Sequence, residues 1–144
     1  MIFSMNQLFS NDQAITATAV STNVIDLGLP GTPVYGKAAL KQDIGKGTPI
    51  PILVQVTEAF NTLTSLTISI ETSANADMSS AKVLESQVIA LADLTLGKQH
   101  SVQVVPVGVD RRYMAIRYTV TGTAPTLGKV TAGITMGNQT NIVG

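Results

Sequence analysis

The segment DRRYMAIRYTV, residues 110–120, gathers all three arginines of the chain and two of its three tyrosines. An arginine guanidinium presents a planar fork of donors that fits a carboxylate, and a tyrosine adds a flat apolar ring with a polar tip. Both are enriched at the energetic centres of protein–protein interfaces. The chemistry on offer is recognition by hydrogen bonding and stacking, with no bond made or broken. Met114, Ile116, Tyr118 and Val120 alternate with Tyr113, Ala115, Arg117 and Thr119. A strand here therefore turns Tyr113 and Arg117 away from its apolar face, with Arg111 and Arg112 at its start. The competing reading is that Arg111 and Arg112 pair with nearby acids such as Asp110 and are simply solvated.

Groups suited to catalysis are scattered. The chain has one histidine, His100, and no cysteine; a lone histidine at the start of a strand reads as structural. No serine sits in a G-x-S-x-G setting. Asp12, Asp26, Asp43, Asp77 and Asp110 lie beside turns, where an aspartate ordinarily bonds its own backbone. A hydrolase would need two carboxylates converging on a cleft. Glu58 with Asp93, or Glu71 with Glu85, are the pairs to consider, and neither is accompanied by an orienting histidine or a metal cluster. The run DIGKGTP has the look of a phosphate loop, but that motif asks for glycine where Leu40 stands and for Ser or Thr where Gly47 stands. A glycosylation sequon at Asn138-Gln139-Thr140 reads as chance, and no calcium-loop spacing is present. The expectation is a protein that is not an enzyme, with no cofactor, no metal and no small-molecule substrate.

Charge narrows the partners. Nine basic residues balance nine acidic ones, whereas a nucleic-acid binder needs a basic excess to neutralise phosphates; no nucleic acid is expected. Only 12% of residues are charged and 44% are hydrophobic, against about 25% charged in ordinary soluble domains. Much of the surface must then be threonine, serine, alanine and glycine. Either these fill the solvent face of a β protein, or part of that surface is covered by other protein in the working state. No run is long and apolar enough to read as a membrane span. The opening MIFSMNQLFSND lacks the basic start and apolar core of an export signal, so the expected setting is a cytoplasm, with no membrane partner.

These side chains must be positioned by strands. Period-two alternation recurs in PIPILVQVTE (Ile50, Ile52, Val54, Val56 inward), LTISIE (Leu66, Ile68, Ile70), HSVQVVPV (Val102, Val104) and KVTAGITM (Val130, Ala132, Ile134, Met136). Turn residues separate the runs in LGLPGTP, DIGKG, TSANADMSS, LGK, VGVD and TGTAPTLGK. No sustained helical period appears, although ADMSSAKVLESQ could hold one short helical turn. Strands without helices between them cannot form βαβ units, so the sheets should be antiparallel. The predicted fold is all-β: an antiparallel β-sandwich, a jelly roll of about eight strands, with a seven-strand immunoglobulin-like sandwich as the runner-up. Residues 1–12 read as an N-terminal arm, 13–137 as the sandwich and 138–144 as a C-terminal tail. The arm carries Phe3, Leu8 and Phe9, which either pack on their own domain or reach a neighbour. With Arg111, Arg112, Tyr113 and Arg117 they make up the candidate protein-interface residues.

The runs STNVIDLG, DIGKGTPIPILVQVTEAF and DRRYMAIRYTVTGTAPTLGKVTAGI, in that order and at this spacing, resemble a family of capsid cement (decoration) proteins of tailed bacteriophages, the group named for a short-tailed Bordetella phage. The similarity runs from about Asp12 to Asn141, nearly the whole chain. The resemblance implies a jelly roll that sits as a homodimer on the outside of the icosahedral head. There it would bind neighbouring subunits of the major capsid protein and lock a shell without covalent cross-links. It further implies a virion location after assembly in the bacterial cytoplasm. It transfers no defined set of binding residues. The alternative is a β-sandwich module of the virion that binds carbohydrate or a receptor, for which a chain with no tryptophan offers few aromatic platforms.

Overall fold

The computed structural model describes residues 3–29, 49–100 and 104–136. The strands are β1 (Phe3–Ala14), β2 (Ala19–Val20), β3 (Ile25–Asp26), β4 (Ile52–Glu58), β5 (Leu63–Ser73), β6 (Lys82–Ala90), β7 (Gln99–His100), β8 (Tyr113–Gly122) and β9 (Lys129–Thr135). One turn of 3-10 helix, Leu91–Asp93, links β6 to β7. Among the described residues every strand pairing is antiparallel. No described helix is long and apolar enough to cross a membrane.

The pairing is nested. β1 pairs with β9, β2 and β3 with β8, β4 with β7, and β5 with β6, as in one long hairpin folded at the β5–β6 turn. Rolling that hairpin brings β4 beside β9 and β5 beside β8. The result is two sheets, β1-β9-β4-β7 and β2-β8-β5-β6, with β3 alongside β8. This is a jelly roll, and since β2 and β3 share one edge of β8 it has eight strand positions. The immunoglobulin-like alternative is set aside by this order.

Alternation places the core between the sheets. Ile52, Val54 and Val56 of β4, Leu66, Ile68 and Ile70 of β5, and Met114, Ile116 and Tyr118 of β8 are all buried there, as the sequence period demands. The Tyr118 hydroxyl lies 2.8 Å from Ser10 Oγ, and Ser10 donates at 2.7 Å to Gln13 Oε1. Ser10 has one proton to give, so Tyr118 is the donor to it, and a single polar thread crosses the sandwich from β8 to β1.

Several expectations are corrected. Residues 3–12 are no arm: they form most of β1, with Phe9 fully buried in the core. Three register shifts along β1–β9 break strict alternation, which is how Leu8, Phe9 and Ser10 come to be buried in succession. The possible helical turn in 76–87 is instead two turns followed by strand β6, whose exposed edge leaves little period to read. Met136, placed inward by alternation, lies just past the end of β9 and is 94% exposed. Val102, the DIGKG turn and the tail at 138–144 lie outside the described residues.

The turns do what their residues suggest. Asp26 Oδ1 accepts from Gly28 N and Asp77 Oδ1 from Ser79 N, each at under 3 Å (2.8 and 2.9 Å). The loop between β8 and β9 is tied to the β4–β5 turn by Asn61, which donates to Thr126 Oγ1 at 2.8 Å and accepts from Thr126 N at 2.9 Å. Beside it Gly128, at φ 135°, leaves room for the Phe60 ring.

Candidate protein-binding face

Strand β8 is central in its sheet, so its outward side chains have neighbours on both sides. On this outer face Tyr113 stands between Asp26 and Ser73, and Ala115 stands beside Glu71. Arg117 lies between Val20 and Ser69, and Thr119 beside Thr67. One strand further, β6 sets Val83 against Glu71, Ser86 against Ser69 and Val88 against Thr67. The face is built almost wholly from small polar and apolar side chains. Val83 and Val88 are exposed on it.

The arginines are spoken for, in part. Arg117 Nε donates to both carboxylate oxygens of Glu71, at 2.8 and 2.9 Å. Glu71 is nearly buried on this nominally solvent-facing side, while Arg117 keeps about a third of its side chain exposed (5% against 31%). The bond uses Nε, so the terminal amino groups of Arg117 remain to be offered outward. Arg112 grips Asp26 with Nε and Nη2 at 2.8 and 2.7 Å, and its guanidinium lies 5.0 Å from the centre of the Tyr113 ring. The Arg112 hydrogen bonds, then the Gly28 N–H, hold the Asp26 carboxyl down to about 2. Arg111 donates through Nη1 to the Ser80 carbonyl at 2.8 Å, pinning the β5–β6 turn. Of the competing reading, pairing with an acid holds for Arg112, but neither Arg111 nor Arg112 pairs with Asp110. Asp110 lies 3.9 Å from Lys82, and the acid that holds Arg112 comes from β3, 86 residues away in sequence.

The N-terminal candidates part company. Phe9 is fully buried and Leu8 nearly so, which leaves neither free to touch a neighbour. Phe3 is half-buried and lies with Leu8 against Gly133, where an added Cβ would meet their rings and methyls at 3.0 and 3.2 Å. These three positions belong to the other sheet, away from the β8 arginines. The structure therefore brings Arg111, Arg112, Tyr113 and Arg117 together, and does not bring Phe3, Leu8 or Phe9 to them.

The groups weighed for catalysis are separately engaged. Glu58 pairs with Lys129 at 3.4 Å and Asp93 with Lys98 at 3.5 Å. Glu85 stands opposite Ile70 and Glu71 opposite Ala115, so these two carboxylates lie on opposite sides of one sheet. His100 is buried, and its Nε2–H donates to the Asp93 carbonyl at 3.1 Å. Burial holds its pKa below the ordinary histidine value. Among the described residues no three His, Asp or Glu side chains are grouped to hold a metal ion.

What sequence reasoning missed is the carboxylate on Arg112 and on Arg117 and the exposed valines of β6. Glu71 alternates as an outward residue in LTISIE, but nothing local marks it as the partner of a residue 46 positions later.

The model of the Bbp16 family matches residues 9–134, from the core end of β1 through β9. The chain belongs to the Bbp16 family. That places it in a Bordetella-phage protein family, and the match covers all of the described sandwich but the first six residues of β1 and the last of β9, including the β8 strand with its arginines. No curated protein matches the chain. For this Bbp16-family chain, phage lineage and the β-sandwich are thus in hand together, on a fold whose outer β8–β5–β6 face is sparsely charged and internally neutralised.

Proposed function

We propose that this chain is a capsid cement, or decoration, protein: a structural virion component that binds the outside of the phage head, as a homodimer, and clamps neighbouring subunits of the major capsid protein. It works by binding and not by catalysis, with no cofactor. The observation that carries the reading is the outer face of β8–β5–β6 in a Bbp16-family jelly roll. Its two ion pairs, Arg117–Glu71 and Arg112–Asp26, are satisfied within the chain, and the rest is Tyr113, Ala115, serines, threonines and exposed valines. Such a face can be covered by protein without stranding charge. The terminal amino groups of Arg117 and the Tyr113 ring supply directional contacts at its centre. Many copies acting together let each contact be modest.

The test is co-sedimentation with phage heads stripped of this protein, immature and expanded in parallel. Saturable binding to expanded heads at a fixed ratio to capsid subunits, with little to immature heads, is the expected result. Failure to bind either form overturns the proposal and redirects the search to a glycan or receptor ligand. On the residue level, Tyr113→Ala should weaken head binding while the domain stays folded, because Tyr113 is half-buried at the sheet surface and outside the core.

A further inference from the structure

Every open sheet has edges, and proteins normally blunt them with short strands, bulges, proline or lysine. In this fold β2, β3 and β7 are two residues each, and β1 is interrupted by three register shifts. The remaining edge is β6. It runs nine residues, Lys82–Ala90, contains no proline, carries its one lysine at the very start, and has one register shift. Among the described residues it pairs with β5 alone. Its second row of backbone donors and acceptors therefore faces outward. Beside that row stand Val83 and Val88, 54% and 68% exposed, on a face where Thr67, Ser69 and Ser86 lie next to the Arg117–Glu71 pair. A long, nearly neutral edge with apolar side chains invites another strand.

The sequence of β6 says which strand fits. An antiparallel pairing of β6 with itself, about a two-fold axis at Ser86, sets Ser86 against Ser86 and Glu85 against Gln87 of the second copy. The register shift that seats Val83 opposite Glu71 and Glu85 opposite Ile70 takes Leu84 out of the ladder. Val83 then falls opposite Val88 of the second copy, both on the outer face, and symmetry repeats the pair. No like charges meet: Lys82 comes opposite Ile89, and each Glu85 finds an amide. The valines sit across from valines, and Glu85, an acceptor, across from the Gln87 amide, which are favourable cross-strand combinations. A different partner strand would have to supply this pattern; a second copy carries it already.

We propose that β6 is the seam of a homodimer, in which two copies join edge to edge into one continuous sheet, β2-β8-β5-β6-β6-β5-β8-β2. This deepens the two-copy element of the proposed function. The seam lines up the two outer faces side by side, with the four valines as an apolar stripe between two Arg117–Glu71 pairs. The pairing needs no phage head, so a monomer in solution and a failure to bind heads are separate results.

The test is the mass of the full chain by sedimentation equilibrium. The wild type should sediment as two 15.0 kDa chains. Val83→Lys with Val88→Lys puts lysine against lysine twice and should give a monomer, with an unchanged far-UV circular dichroism spectrum since both sites are exposed. Val83→Glu with Val88→Lys puts opposite charges in the same places and should restore the dimer, which a merely weakened surface would not. In this cysteine-free chain Ser86→Cys should oxidise to a linked dimer, whereas Val88→Cys, whose opposite number is Val83, should not. A monomeric wild type, a double-lysine variant that still dimerises, no rescue by the charge swap, or equal cross-linking of the two cysteine variants would each overturn the seam.

Discussion

Replacing Arg117 with alanine should unfold the protein more readily than a surface substitution has any right to. Removing one partner of a fully buried ion pair costs about 3–5 kcal/mol, because a charge is left without compensation, while an exposed pair is worth roughly 0.2–1 kcal/mol. This pair lies between the limits: Glu71 keeps 5% of its side chain exposed and Arg117 31%. Arg117→Ala strands the buried member beside Ala115 and Val83, so the expected loss is about 2–3 kcal/mol. Glu71→Gln strands the more exposed member, whose guanidinium can turn to water, and should cost only about 1 kcal/mol. The double variant Glu71→Gln with Arg117→Met removes both charges and should sit within about 1 kcal/mol of the wild type. Urea unfolding followed by circular dichroism measures all three, and the cycle isolates the coupling. An Arg117→Ala variant within about 0.5 kcal/mol of wild type, or a double variant as unstable as the two single losses added, would refute the claim that burial of Glu71 sets the cost. The same series informs head binding. If Arg117 acts only by holding Glu71, the double variant binds heads normally; if its terminal amino groups touch the capsid, binding falls although stability is restored.

Gly128→Ala should cost about 2–4 kcal/mol, combining left-handed strain at φ 135° with displacement of the Phe60 ring, whose Cγ lies 2.5 Å from the added Cβ; a thermal melt unchanged from wild type would refute it. Ser10→Ala should destabilise more than Tyr118→Phe. The former leaves the buried Tyr118 hydroxyl without its acceptor, whereas the latter leaves Ser10 its bond to Gln13, and each loss is of order 1–3 kcal/mol by urea unfolding. Acid should weaken the fold as Asp26 titrates. Its folded value, about 2, is below the ordinary 3.8, so its contribution is complete above 3.8 and is lost as pH falls from there toward 2. Urea midpoints taken above and below that window should converge in Asp26→Asn, and an unchanged pH dependence in that variant would overturn the assignment.

The outer face and the edge strand suggest a division of labour within one sheet. β8 holds the directional groups at the centre, and β6 holds the apolar, unpaired rim. Under the proposed function, the central strand would face the shell and the edge strand the second copy, so the two contacts would not compete.

Local pattern alone determined the class. Strict alternation in PIPILVQVTE, LTISIE and RYMAIRYTV fixes which residues face a core, because neighbouring side chains on a strand point to opposite sides, and the glycine- and aspartate-bearing turns set the spacing. The absence of cysteine and the zero net charge were equally legible. The jelly-roll order was readable only as an expectation, since pairing β1 with β9 joins the two ends of the described chain and no local rule dictates that. Tertiary structure decided three things. It took Phe9 from a supposed arm into the core, because bulges let β1 bury consecutive residues. It gave Arg112 and Arg117 their carboxylates, Asp26 and Glu71, from 86 and 46 residues away, distances over which sequence carries no pairing signal. It also exposed β6 as an edge: KVLESQVIA has no clean period because a strand at the rim of a sheet buries almost nothing, and only the strand order shows that its outer row of hydrogen-bonding groups faces outward.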